Sequence, residues 1–269
     1  MNTSYLAFIE SALKEVADIA NRNFGRVSGI TKGDDNNQVL TQTDLEIGKY
    51  LIEEIRSAYP KHNIIDEEAG VIDRNSVLTW VIDPIDGTSN FAEGIPTYGT
   101  IIGLLKDDKP IAGGVNLPFF NEIIIAEKGK GSYCNKERIN VTKETSLLST
   151  LVAYAVDGHQ ENPEFTREEF RKLAEITLGI RNLRASGSVF DAIMVAKGKY
   201  GGYLNQTSKI WDNVGQQIVI EEAGGIYTDF FGKPMDYSNP LSKAEENFSW
   251  CTASPILHKQ LQGIIHRNK

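Results

Sequence analysis

"WVIDPIDGTSNF", Trp80–Phe91, is the stretch on which the reading of this chain turns. Its apolar, β-branched opening reads as a buried strand, yet the run ends in two aspartates, Asp83 and Asp86, around Pro84 and Ile85. Carboxylates at the end of a buried strand are costly unless something pairs with them. A hard divalent cation answers that need. Mg2+ takes oxygen ligands, commonly one or two carboxylates with waters and phosphate oxygens. Pro84 stiffens the backbone and removes an N–H that would need its own partner. A turn there can offer the Ile85 carbonyl to one ion and the Asp86 carboxylate to another. "DGT" then reads as the start of a helix, where the Gly87 and Thr88 amides make an anion site suited to phosphate. Gly87 lets the backbone approach closely, and the Thr88 hydroxyl can orient a water.

Working outward, three further acids stand at the ends of apolar elements. Asp44 closes "TQTD" before an amphipathic helix, Glu67 lies in "IIDEEAG" (Ile64–Gly70), and Asp212 lies in "KIWDNVGQQ". Each has an ordinary reading when taken singly. Asp44 and Asp212 can be helix N-caps, Asp83 and Asp86 an Asx-turn, and Glu67 and Glu68 solvated acids at a strand end. One metal centre accounts for all of them together. His62 and His159 show no ligand spacing and read as surface residues. Lys32, upstream of "VLTQTD", is either a solvated lysine or a neighbour of the metal and phosphate. Its stretch "KGDDNNQ", Lys32–Gln38, reads as a mobile loop able to close over the site.

The rest of the chain supplies a frame for these motifs. Leu6, Ile9, Leu13, Val16, Ala17 and Ala20 fall at helical spacing, and Gly25 marks a stop. Ile47, Leu51, Ile55 and Ala58 form a second stripe, with Pro60 just beyond. β-Rich segments follow: "LTWVID", "TYGTIIGLL", "PIAGGVNL" and "NEIIIAEKGKGSYCN", with a hairpin turn at Pro118–Asn121. Later come strand "TLVAYAV", helix "REEFRKLAEIT" and a final strand "FSWCTAS". Strands and helices mix without strict alternation, which favours a mixed α/β, layered α+β arrangement over a doubly wound sheet. With 269 residues the chain suits a single catalytic module of two closely packed halves, residues 1–144 and 145–269.

Charge and cysteine usage bound the partners. The formal net charge of −8 disfavours nucleic acid or an anionic membrane as partner, since both call for a basic face. It does not exclude a phosphate ester, because bound cations reverse the local field. Two cysteines, Cys134 and Cys251, make neither a disulfide framework nor a CxxC metal site. There is no secretory signal pattern at the N-terminus and no apolar run of membrane-spanning length. A cytoplasmic location is expected.

With these motifs in place, the chain resembles the inositol monophosphatase family of Mg2+-dependent, lithium-sensitive phosphatases. "WVIDPIDGTSNF" matches one family signature and "WDNVGQQIVIEEAGG", Trp211–Gly225, the other. "VLTQTD", "YPKHNIIDEEAG", "KGKGSYCN" and "RASGSVFDAIMVAKG" fit in the family's order, so the likeness spans the whole chain. The resemblance implies the αβαβα sandwich of the inositol monophosphatase/fructose-1,6-bisphosphatase type, a homodimer, and two or three Mg2+ per site. It assigns Glu67, Asp83 and the Ile85 carbonyl to one ion, Asp83, Asp86 and Asp212 to a second, and Glu67 with waters to a third. It gives Thr88, hydrogen-bonded to Asp44, the orienting of the attacking water, with Glu67 also in the catalytic set. Phosphate and substrate would meet Asp86, the Gly87 and Thr88 amides, and Asp212. Gly187, Ser188 and Asn205 would face the alcohol. The reaction implied is direct attack of water on a small polyol or sugar phosphate. No Cys-x5-Arg loop or DxDx[TV] stretch points to a covalent intermediate.

The substrate is less sharply marked. Where inositol-specific members usually carry an acid before the second signature, this chain has Asn205. "FAEGIPTYGTIIGLL" and "NLPFFNEIII" resemble the histidinol-phosphatase branch, although a turn into a core strand shaped by Gly94, Pro96 and Gly99 is the simpler explanation. Fructose-1,6-bisphosphate is a further possibility. From another class of function, the alternative is a non-catalytic metal- or phosphate-binding regulatory protein on the same fold.

Overall fold

The structure, a computed structural model, describes residues 4–32 and 39–267. The first two helices, α1 (Tyr5–Asn23) and α2 (Gln42–Ala58), each bury one apolar stripe. In α1 these residues are Phe8, Ile9, Ala12, Leu13, Val16, Ile19 and Ala20, one helix face at three- and four-residue spacing. Gly25 follows the C-cap with φ of 65°, a left-handed value that fits a helix stop. Strands β1 (Ile30–Thr31) and β2 (Val39–Leu40) pair antiparallel between the helices. The loop expected to be mobile and to close over the site falls, from residue 33 to 38, outside the described residues.

Eight strands then build the larger sheet. They are β3 (Asn63–Asp66), β4 (Gly70–Ile72), β5 (Leu78–Asp86), β6 (Gly99–Lys106), β7 (Lys109–Leu117), β8 (Glu122–Glu127), β9 (Gly131–Cys134) and β10 (Glu137–Ile139). The short helix α3 (Thr88–Ala92) sits between β5 and β6. Their spatial order is β10-β9-β8-β7-β6-β5-β3-β4, antiparallel throughout except for β3 beside β5. A 3-10 turn at Pro118–Phe120, closed by Asn121 at φ 53°, joins β7 to β8 where the sequence expects a hairpin.

The second sheet has β11 (Leu151–Ala155), β12 (Asn182–Arg184), β13 (Gly202–Ser208), β14 (Ile226–Thr228) and β15 (Phe248–Ala253). Its order is β12-β11-β13-β15-β14, with β11 parallel to both of its neighbours. Four helices accompany it: α4 (Pro163–Leu178), α5 (Val189–Ala196), α6 (Ile210–Glu222) and α7 (Pro255–Ile265). Residues 63–139 thus supply one sheet and 151–253 the other.

Strand alternation sorts the core into three apolar layers. Trp80 and Ile82 face α1 and α2 together with Ile9, Leu13, Ile47 and Leu51. Val81, between them, faces the other way, into a central cluster with Ile101, Val115, Val214 and Ile218. The second sheet repeats the pattern. Ala153 and Tyr203 join the central cluster, while Tyr154 and Leu204 pack outward against Leu257, Leu261 and Ile176. Helices α5 and α6 therefore lie between two sheets, each covered on its far face by further helices. The layer order is αβαβα. Each large apolar side chain so enclosed contributes about 1.5–3 kcal/mol relative to exposure.

This layering positions the site. The C-terminal end of β5, the N-termini of α5 and α6, and the ends of β11 and β13 meet around one cleft of about 500 Å3.

Candidate active site

Asp83 and Asp86 stand three residues apart, so in a regular strand they would point to opposite faces. The register shows why they do not. Asp83 pairs with Ile101 and Asp86 with Gly99, so Pro84 and Ile85 together oppose the single residue Thr100. The extra residue is a β-bulge, and it brings both carboxylates to one side. The sequence suggests a turn at this point; the structure has a bulged strand that continues to Asp86. Pro84 suits the bulge because it needs no N–H partner, and its carbonyl accepts the Thr100 hydroxyl at 2.8 Å. Thr100 is fixed in turn, its amide donating to Asn116 Oδ1 at 2.8 Å.

Two helix starts deliver two more acids. Asp44 is the third residue of α2, not its cap. Thr41 is the N-cap, accepting from the Thr43 amide at 3.2 Å, and the Thr41 amide donates to Asp44 Oδ2 at 2.9 Å. The other oxygen, Asp44 Oδ1, lies 3.1 Å from the Thr88 hydroxyl. That hydroxyl is also 2.7 Å from the Ile85 carbonyl, so its single proton has two acceptors within reach. Asp212 is likewise the third residue of α6, with Oδ2 accepting from the Lys209 amide at 2.6 Å. Asp86 is met by the amide of Val189, the first residue of α5.

The carboxylates of Asp83, Asp86 and Asp212 present oxygens that all lie within 4.8 Å of one another. Glu67 lines the same cleft but stands outside this trio, its Oε1 held by Lys32 Nζ at 2.8 Å. Lys32 also pairs with Glu68. Burial tends to discharge the lysine, but Glu67 and Glu68 outweigh it and hold the ammonium charged. Burial pushes every acid of the centre toward its neutral form. Asp83 and Asp86 lie well above the ordinary carboxyl range, first from desolvation and then from neighbouring carboxylates. Desolvation raises Asp44 to about 6 against the opposing hydrogen bonds from Thr41. Asp212 rises to about 6 for the same first reason, with the Lys209 amide holding it down. Asp83 Oδ1 is buried without a hydrogen-bond partner among the described residues. An oxygen-only donor set, crowded, desolvated and with an orphaned carboxylate atom, fits a divalent cation such as Mg2+.

A family model described as the inositol monophosphatase family matches residues 1–266. The chain belongs to the inositol monophosphatase family. A Thermotoga maritima protein named fructose-1,6-bisphosphatase/inositol-1-monophosphatase is 30% identical over 261 residues, covering 97% of this chain and 95% of that one. A Haemophilus influenzae protein named Nus factor SuhB is 29% identical over 222 residues, 81% of this chain and 82% of its own. A solved Thermotoga maritima IMPase superposes with a TM-score of 0.83 at 26% identity, over 97% of this chain and 96% of that one. As an inositol monophosphatase family member the chain is a phosphoric monoester hydrolase of metal-dependent type.

Within this family frame, Glu67, Asp83, Ile85, Asp86, Gly87, Thr88, Gly187, Ser188, Asn205 and Asp212 all line the cleft. Asp44 reaches it through Thr88. Gly87 has φ of 83°, and a Cβ there would come within 2.8 Å of Ser188 Cβ, so backbone freedom and close approach both call for glycine. Both histidines depart from the surface reading. Half-buried His62 accepts from Trp80 Nε1 at 3.1 Å, and His159, with its side chain 15% exposed, lines the cleft. Asp157, Thr207, Lys209, Asn247 and Trp250 complete the wall opposite the acids. No spacing in the sequence announces them. They come together because β11, β13 and β15 end, or begin, at the same edge of the second sheet. Among the described residues, no helix is long and apolar enough to cross a membrane.

Proposed function

We propose that the protein is a Mg2+-dependent phosphomonoesterase acting on a small polyol or sugar phosphate, such as inositol 1-phosphate, by direct attack of water. The observation that carries this reading is the convergence of Asp83, Asp86 and Asp212 beside a Thr88 hydroxyl tied to Asp44. Asp83, Asp86 and Asp212, with Glu67 and the Ile85 carbonyl, would hold two or three ions. Bound Mg2+ supplies positive charge to the phosphate oxygens and lowers the pKa of water there.

The chain's own groups do the positioning. Thr88 Oγ1 donates a hydrogen bond to Asp44 or the Ile85 carbonyl and keeps a lone pair to accept a hydrogen bond from the attacking water. Asp44, raised to about 6, is a base suited to near-neutral solution. The Gly87 and Thr88 amides at the start of α3 hold the phosphate, and Gly187, Ser188 and Asn205 bound the alcohol. Lithium inhibition, a homodimer, and one catalytic module built from residues 1–144 and 145–269 belong to the same reading. Fructose-1,6-bisphosphate is a second candidate substrate, favoured by the name of the Thermotoga maritima relative.

The test is phosphate release from inositol 1-phosphate and an aryl phosphate, with and without Mg2+. Release should require the ion, and Asp83→Asn should lower kcat/KM by roughly 10^3-fold or more while the protein stays folded. Near-normal Mg2+-supported activity in that variant would refute the assignment.

A further inference from the structure

We infer that Asp157 is the specificity-determining residue of the alcohol subsite, selecting neutral, hydroxyl-bearing alcohols over those that carry a second phosphate. The inference rests on the phosphatase reading above and concerns the wall that faces the leaving alcohol. Strands β11 and β13 run parallel there, with Ala155 opposite Asn205. Beyond β11 the chain brings Asp157 and His159 into the cleft, and β13 brings Asn205 and Thr207.

Thr207 ties the wall together. Its hydroxyl donates to Asp157 Oδ2 at 3.0 Å, and its amide donates to Asn205 Oδ1 at 2.7 Å. Asp157 is thereby fixed through one oxygen. Its other oxygen, Oδ1, is the acceptor left to face a ligand. With its carbonyl oxygen engaged, Asn205 keeps its NH2 group to donate. A carboxylate acceptor beside an amide donor matches adjacent hydroxyls of a polyol.

The charge on Asp157 is not cancelled by its neighbours. His159 Nε2 lies 3.6 Å from Glu169 Oε2, and Glu169, on α4, is fully buried. Neither oxygen of Glu169 has a hydrogen-bond partner among the described residues. Any positive charge on that imidazole is met by the Glu169 carboxyl beside it. Glu161, 3.3 Å from His159 Nδ1, is exposed and adds only negative charge. The wall's remaining cation, Lys209, donates its ammonium to the Glu245 carbonyl at 2.6 Å. A hydroxyl can donate to Asp157, whereas a second phosphate meets like charge.

The experiment compares kcat/KM for inositol 1-phosphate and fructose-1,6-bisphosphate, each divided by the value for an aryl phosphate under Mg2+. Wild type should prefer the monophosphate. In Asp157→Asn, isosteric and still able to accept from Thr207, the inositol 1-phosphate ratio should fall about tenfold. The bisphosphate ratio should rise severalfold. Thr207→Val, which only unties the carboxylate, should move both ratios the same way by less. Unchanged ratios in an Asp157→Asn protein that melts like wild type would overturn the inference, as would a wild-type preference for the bisphosphate. A wild-type enzyme that releases no phosphate from the aryl ester would refute the phosphatase reading itself, and this one with it.

Discussion

The first turns of α2 and α6 are built alike and used differently. Each carries an aspartate at its third position, with one carboxylate oxygen bonded back to the cap amide, Asp44 to Thr41 at 2.9 Å and Asp212 to Lys209 at 2.6 Å. This device fixes the direction of a carboxylate and favours its charge at the positive end of a helix. The difference lies in what the rest of each carboxylate meets. Asp44 finds two hydroxyls, those of Thr41 and Thr88. Asp212 meets two other acids, Asp83 and Asp86. One helix start therefore sets a carboxylate among hydroxyls, and the other sets one among carboxylates; in the proposed mechanism the first handles a proton and the second a cation.

The largest effects should divide along that line. Asp212→Asn should lower kcat/KM by roughly 10^3-fold or more and weaken the Mg2+ heat in calorimetry, because it removes a cation ligand. Asp44→Asn should cost roughly 10^2- to 10^4-fold in rate, the usual range for a lost proton acceptor, and leave the Mg2+ heat intact. Equal loss of Mg2+ binding in both variants would break the comparison.

A smaller, pH-dependent effect follows from the raised carboxyls. Asp44 and Asp212 are each raised to about 6 when no cation is present. A carboxyl raised on folding binds its proton more tightly in the native state than in the unfolded one. Its contribution to stability therefore falls as pH rises from about 4, the unfolded value, through about 6. For Asp212 a cation should cancel this penalty, since it replaces the proton. The melting temperature of Mg2+-free protein should thus drop across that window relative to Asp212→Asn, which lacks the titrating group. Mg2+ should raise the wild-type melting temperature more at pH 7 than at pH 4.5. An Mg2+ stabilisation that does not change between those two pH values would count against a cation taking the protons' place.

Much of this centre was legible in the sequence, and the parts that were not share a cause. Acids at the ends of apolar runs pointed to a carboxylate cluster, and the structure does bring Asp83, Asp86 and Asp212 together, with the "DGT" residues lining the same cleft. Pro84 signalled an irregular backbone, but the bulge is a property of the pairing with Thr100 on β6, and no local pattern in β5 encodes it. The third-position role of Asp44 and Asp212 was hidden for a related reason. Thr41 is a capping type and could have been read, whereas Lys209 is not, and it serves through its amide alone. Mixed α/β layering followed from the element pattern, while the layer order came from family resemblance. His159 read as a surface residue because its partner Glu169 lies on α4 and is buried only by tertiary packing. Short-range chemistry was visible; whatever depended on a register or on a second element was not.

The smallest effect tests the cap side chain itself. The Thr41 hydroxyl does two things: it accepts the Thr43 amide and donates to Asp44 Oδ2. Thr41→Ala should cost about 1 kcal/mol, typical of a lost cap. For a chain of this size that is a fall of about 2–4 °C in melting temperature. Lys209→Ala should leave the start of α6 nearly as stable, since the backbone amide to Asp212 survives the change. Thr41→Ala also strips Asp44 of a donor that stabilises its charged form, so the Asp44 carboxyl should move further upward. If Asp44 is the base behind Thr88, the acid limb of the pH–rate profile should shift upward in Thr41→Ala. In Lys209→Ala, which leaves Asp44 untouched, it should stay where it is in wild type. A melting shift without that movement of the acid limb would leave Thr41 a cap alone and remove Asp44 from proton transfer.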